Sequence, residues 1–376
     1  SVSIRLNLMN NPTKLLKDIP LTLALMASPV KPMPEGWRGW SDGFHMDATK
    51  ITRCFYSNPY WGSYYSWTSR YPAFEDFTYI DKLVAAKDTG VIDQAFIKSW
   101  VDRVMQSEQR DAPIAHRSGR DYVNRHAQAA FALSKGLHPK KDISILYPYT
   151  CNITGAENLP EFPVFRDEWQ GSVHVYQSYS DYAIFYLNKM LDHGFGGVYD
   201  DNVFLSGKFY WATGNGYIDS EGNIRPSLGL WRIRNYHKRQ LTLMVERGME
   251  PWITVHHTNT NNIIVLGFAT NSMGMEWKYG SHDFQERFTP DYIRAVCHGR
   301  QGGFFPTVLD GITGTKSPEQ RTWATRTMLA SLLPHEVRPT CPRASDFKLV
   351  GNTLKKFFAF GTHEPDCRFY AYWAAD

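Results

Sequence analysis

One unit recurs along this chain and limits what it can fold into. It is an amphipathic helical stretch, a short turn, a brief apolar run, and then a cluster of polar side chains. The clearest copy begins at Leu230. Leu230 to Arg247 has helical spacing, with basic residues on one side and Gly248 as a stop signal. Pro251 to Val255 follows as a short apolar strand and gives way to His256-His257-Thr258-Asn259-Thr260-Asn261-Asn262. An earlier copy starts with a helix over Ser180 to Leu191, whose apolar face carries Ala183, Ile184, Tyr186, Leu187 and Leu191. It leads through Gly194-Phe195-Gly196-Gly197-Val198-Tyr199 to Asp200-Asp201-Asn202.

Weaker copies extend the pattern. Ile143 to Tyr149 reads as a strand, and Asp121 to Leu133 and Ile80 to Met105 as helices. The apolar run Ile263 to Phe268 leads through Asn271 to Gly274-Met275-Glu276-Trp277. Asp291 to Arg300 reads as a helix, Gly302 to Val308 as a strand with Asp310 just beyond, and Arg321 to Leu333 as a helix. Strands that alternate with helices make βαβ units and a parallel sheet. A doubly wound sheet would carry a glycine-rich phosphate turn after its first strand, and none is present. Polar clusters after several successive strands fit a (β/α)8 TIM-type barrel, whose site is assembled from many strand ends; about seven strands of this kind can be counted.

The expected domain plan is therefore a barrel over residues 20–345 between two extensions. Residues 1–19 form an N-terminal β extension, because Val2, Ile4, Leu6 and Leu8 alternate with polar residues. Residues 346–376 form a C-terminal extension of a helix, Phe347 to Phe358, and a strand, Arg368 to Trp373. Pro20 to Val30 reads as the first buried strand, and 158–171 as a polar loop. That strand is too short to span a bilayer, so no membrane role is expected.

Composition narrows the ligand. Aromatic residues make up 15% of the chain. Tyr and Trp pair a flat apolar face with a polar tip, which suits saccharides, although core filling is the competing use of any one ring. Residues 51–75 are the densest stretch, holding Phe55, Tyr56, Trp61 and Trp67 without regular period, and read as a long functional loop. Net charge is only +4 with no basic block, which argues against nucleic acid. The five cysteines are widely spaced with no zinc pattern, and His256-His257 lacks metal-ligand spacing, so neither metal nor other cofactor is expected.

Glycoside hydrolysis needs two carboxyl groups flanking one bond. Asp200, Asp201 and Glu276 each close an apolar run and are the candidate catalytic residues. Adjacent carboxylates oppose each other's ionisation, which can keep one protonated as an acid. Successive strand residues point to opposite faces, so a regular strand presents only one of the two aspartates to the site. Lys31, Trp61, Trp67, Tyr199, Asn202, His256, His257, Asn259 and Trp277 are the candidate saccharide contacts. Two other readings stay open: a non-catalytic carbohydrate-binding barrel, and a metal-dependent hydrolase using a histidine.

Ser28-Pro29-Val30-Lys31-Pro32 with Trp37-Arg38, then Val198-Tyr199-Asp200-Asp201-Asn202, then His256 to Asn261, then Phe268 to Trp277, together resemble bacterial barrel domains near glycoside hydrolase family 123. The likeness covers residues 20 to 340 sparsely. It implies a β-N-acetylhexosaminidase-like or galactosidase-like enzyme of polysaccharide degradation, secreted or periplasmic, with β-sandwich domains flanking the barrel. It implies that Asp200 steadies a substrate acetamido group and Asp201 is the acid. The family has Glu at that second position, and Asp201 is shorter by one methylene. A pair formed by one aspartate with Glu276 across the pocket fits the residues equally.

Overall fold

The computed structural model describes residues 14, 25–42, 53–58, 142–146, 180–181, 184, 187–188, 191, 197–200, 203, 217–257, 261–276, 284–297, 299–309, 317–339 and 346–373. The chain is a mixed α/β protein built on a parallel sheet. Its strands are β1 (Trp40–Asp42), β2 (Arg53–Asn58), β3 (Asp142–Leu146) and β4 (Gly197–Asp200), then, after a small hairpin of β5 (Tyr217–Ile218) and β6 (Ile224–Arg225), β7 (Ile253–His256), β8 (Asn271–Gly274), β9 (Phe305–Val308) and β10 (Arg338–Pro339). β4, β7, β8, β9 and β10 form a contiguous parallel run, which β3, β2 and β1 extend in that order to eight strands. The two edges of the sheet approach each other, because β1 lies against β10.

The helices are α1 (Leu230–Glu246), α2 (Ile263–Leu266), α3 (Phe284–Arg287), α4 (Pro290–Cys297), α5 (Gly299–Gly302), α6 (Pro318–Leu332) and α7 (Phe347–Phe360). The longer ones begin and end on local signals. Ser317 accepts from the Gln320 amide while the Gln320 side chain accepts from the Ser317 amide, a reciprocal cap on α6 with Pro318 at its first position. Asp346 caps α7, and Gly361 at φ 93° ends it. α1 buries Ile233, Tyr236, His237, Gln240 and Met244, a stripe at three- and four-residue spacing.

β4, β7, β8 and β9 are buried on both faces, and β4, β7 and β9 read accordingly as short apolar runs. On the helix side Phe284, Ile293, Met328, Leu332, Leu354 and their neighbours pack against Val308. Each such side chain contributes roughly 1.5–3 kcal/mol through burial. On the other face Trp37, Trp40, Tyr199, Trp252, Met273 and Phe305 form a second cluster. Trp40 on β1 meets Trp252 at 5.3 Å and Phe305 at 6.1 Å between ring centroids, so residues distant in strand order share this face. Gly197 is required where β4 passes β7, since a Cβ there would collide with the Trp252 carbonyl.

Several sequence expectations need correction. Residues 53–58, expected within a loop, form β2; aromatic residues suit strands as well as loops. Ile263 to Phe268 is not the strand of its unit. It starts with the single turn α2, capped by Asn262, and the strand is the more polar Asn271–Gly274. Arg368 to Trp373 forms no strand. Its rings pack against basic side chains instead, Phe369 under Arg300 and Trp373 under Arg294. Residues 25–30 of the expected first strand are also irregular. β1, β10 and the β5–β6 hairpin were not anticipated. The expected strand at 2–8, the helices at 80–105 and 121–133 and the loop at 158–171 lie outside the described residues.

Candidate functional site

Strand register decides which candidates meet. Tyr199 pairs with Thr254, and His256, two residues further along β7, shares their face. The Tyr199 and His256 rings stack at 6.3 Å with 16° between planes. β8 then ends at Gly274, and Met275 adopts a left-handed φ of 49°. That conformation is unusual for a side chain of this size, and it redirects the backbone beyond the strand. The Glu276 carboxylate comes to 4.0 Å from His256 Nε2. Tyr199, His256 and Glu276 therefore converge at the C-terminal edge of three neighbouring strands.

Asp200 takes the opposite face. Its neighbour in β7 is Val255, and its side chain is fully buried against α1. Tyr236 donates its hydroxyl to Asp200 Oδ1 at 3.3 Å, and His237 Nε2 lies 3.5 Å from Oδ2. His237 Nδ1 faces the Val265 carbonyl at 3.0 Å. A carbonyl only accepts, so Nδ1 carries a proton. Burial holds the His237 pKa down to about 4, against the raising effect of the Val265 bond. The ring is thus neutral near pH 7, with its Nε2 lone pair toward Asp200.

The two histidines diverge as strand neighbours do. His257 turns to the helix side, where Nε2 lies 2.7 Å from Ser272 Oγ and the ring fills the space beside Gly274. Among the described residues no group of three or more His, Cys, Asp or Glu side chains could hold a metal ion.

Lys31 is not brought to this edge. Its Nζ donates to the Ala269 carbonyl at 2.5 Å, two residues before β8 begins, and its backbone packs on Gly303, two residues before β9. It lies at the N-terminal edge of the sheet, and burial holds its pKa down to about 8. Asp201, Asn202, Asn259, Trp61, Trp67 and Trp277 lie outside the described residues.

Sequence reasoning missed Tyr236 and His237, the side chains that hold Asp200. The signal was available: both fall on the apolar stripe of α1, where a buried histidine and tyrosine need polar partners.

No family model matches this chain, and no curated protein matches it. Among solved structures it is similar to the β-galactosidase of the psychrophilic Marinomonas ef1, at 10% sequence identity and a TM-score of 0.35. The similarity covers 77% of this chain and 53% of that one, so the chain spans about half the length of that enzyme.

Proposed function

We propose that this chain is a glycoside hydrolase domain, with its sheet closed as a (β/α)8-type barrel and the saccharide held over the C-terminal strand ends. One observation carries the reading: Tyr199, His256 and Glu276 meet on one face at that edge. Barrel sites are built this way, from the ends of several strands. The approach of β1 to β10, and the reach of Trp40 to Trp252 and Phe305, support closure.

In this reading Glu276 is one catalytic carboxyl group, oriented by His256, and Tyr199 supplies a ring beside the sugar. The burial of Asp200 against α1 favours Asp201 over Asp200 as the second carboxyl group. One protonates the leaving oxygen while the other attacks the sugar or activates water. Asp200 then acts from behind, anchoring the end of β4. The resemblance to family 123 gives a β-linked N-acetylhexosamine or galactose-type residue as the first substrate class to try.

The test is sugar release from a panel of oligosaccharides with product analysis. Wild-type protein is expected to hydrolyse at least one, and Glu276→Gln to be slower by about 10²–10⁴-fold with the fold retained. Unchanged turnover in Glu276→Gln overturns the assignment of Glu276, and no turnover on any glycan overturns the reading.

A further inference from the structure

A second concentration of chemistry lies at the opposite edge of the sheet. Three segments enter strands there: Trp37-Arg38 before β1, Arg300 in α5 before β9, and Glu336 before β10. Glu336 binds two arginines at once. Arg38 Nε donates to Oε1 at 2.9 Å, and Arg300 Nε donates to Oε2 at 2.6 Å. Each guanidinium adds a second contact through Nη2, at 2.9 and 2.5 Å. Both also lie over the Trp37 ring, at 5.6 and 6.0 Å from its centroid. A guanidinium that is both forked onto a carboxylate and stacked on a ring is held in place.

The carboxylate is outnumbered. Arg338, the first residue of β10, is buried close enough to feel the charges of Glu336 and Arg38. Arg368 faces the same space. Three guanidiniums therefore surround one half-buried carboxylate, and a fourth, Arg368, lines the same space. Glu364 and Asp366 are nearby in sequence but exposed, and Glu364 pairs with His363 at 3.1 Å.

The space itself is an open pocket of about 550 Å³, lined by Trp37, Phe369 and Tyr370 together with Arg38, Arg300 and Arg368. Arg38 spends its Nη1 on the Cys367 carbonyl at 2.6 Å, which fixes the C-terminal segment as one wall. Arg300 lies 5.4 Å over the Phe369 ring, and its side chain stays 41% exposed. Its Nη1 makes no hydrogen bond among the described residues, and Arg368 makes none there either. The fixed arginine thus keeps donor capacity toward a pocket with aromatic walls, which a second arginine, Arg368, also lines.

We propose that this cavity is a binding site for a small organic anion, a carboxylate carried on a ring-shaped body. The carboxylate takes Arg300 and Arg368, and the body lies along Phe369 and Tyr370. The excess positive charge is what a carboxylate neutralises, and the ring walls are what its body covers. The ring could be a sugar, as in a uronic acid, or an aromatic acid. The shared feature is the carboxylate. The site stands at the end of the sheet away from Tyr199, His256 and Glu276, and does not depend on the hydrolase reading.

Calorimetric titration of the full chain with glucuronate against glucose, and benzoate against benzamide, tests it. At least one acid is expected to bind, and its uncharged counterpart at least tenfold more weakly. Tighter glucuronate marks a saccharide site, and tighter benzoate an aromatic-acid site; either supports the proposal. Arg300→Met should weaken the acid at least tenfold. Because that change also releases Glu336, Arg368→Ala, at an exposed residue, provides the second variant and should weaken the acid too. Equal binding of acid and neutral compound, no binding of either acid, or wild-type affinity in Arg368→Ala overturns the proposal. So does acid binding that is lost in Glu276→Gln, which would put the ligand at the other edge.

Discussion

The neutral histidine behind Asp200 should make this fold sensitive to mild acid. His237 is fully buried on α1, and its pKa lies at about 4 against an ordinary 6.5. Burial is the largest cause of that shift and outweighs the raising effect of the Val265 bond. Between pH 6.5 and 4 the unfolded chain takes up a proton at this residue and the folded chain does not. Stability therefore rises with pH across that window. The contribution is fully present above pH 6.5 and is lost as pH falls toward 4. At about 1.4 kcal/mol per pH unit, the full loss is about 3 kcal/mol. Carboxylates titrate in the same range, so the readout is a difference between proteins. His237→Gln cannot titrate, and its amide can still donate to the Val265 carbonyl. Urea unfolding midpoints should be measured for both proteins from pH 7 to 4.5. The wild-type midpoint should fall more steeply, and the gap between them should close or reverse as pH drops. Parallel curves would refute the reasoning, because they would mean that His237 is protonated equally in both states.

Two further outcomes test local structure. Gly197→Ala drives a methyl group into the Trp252 carbonyl where β4 runs beside β7, and should lower stability by about 2 kcal/mol or more, read as a fall in the thermal midpoint. Ser317→Ala removes the reciprocal cap of α6 and should cost about 1 kcal/mol, whereas Ser317→Asp should restore most of it.

How much was legible depended on whether a feature was written locally. α1, α6 and α7 carried their periodicity and stop signals in contiguous sequence, and they formed close to where those signals put them. β7 and β9 were legible as apolar runs between helices. β1 and β10 were not, because two or three residues carry no period and their strand character comes only from pairing with β2 and β9. Asn271–Gly274 was hidden for a different reason. Its polar residues are buried and satisfied by partners far away in sequence, Asn271 Nδ2 donating to the Phe305 carbonyl at 2.8 Å. In the candidate site, Glu276 and His256 were legible as strand-end polar residues. Lys31 was grouped with them because it too follows an apolar run, but that run is irregular where described and leads to the other edge.

The aspartate pair shows how the orientation of one residue bears on the proposal for its neighbour. Two adjacent carboxylates look equivalent on the page, yet a strand gives its neighbours opposite faces. Asp200 lies toward α1, bound by Tyr236 and beside His237. Its replacement should therefore be felt as lost stability. Asp200→Ala leaves a cavity and removes an acceptor of the buried Tyr236 hydroxyl, which together should cost about 2–4 kcal/mol. The proposed second catalytic carboxyl group, Asp201, should behave in the opposite way: Asp201→Asn should leave the unfolding midpoint within about 0.5 kcal/mol of wild type, as a surface change does. Turnover should instead fall by about 10²-fold or more. Measuring midpoint and hydrolysis on both variants separates the roles. A stable, inactive Asp200→Ala would reverse the assignment, because it would mean that the carboxyl group on the helix side reaches the substrate.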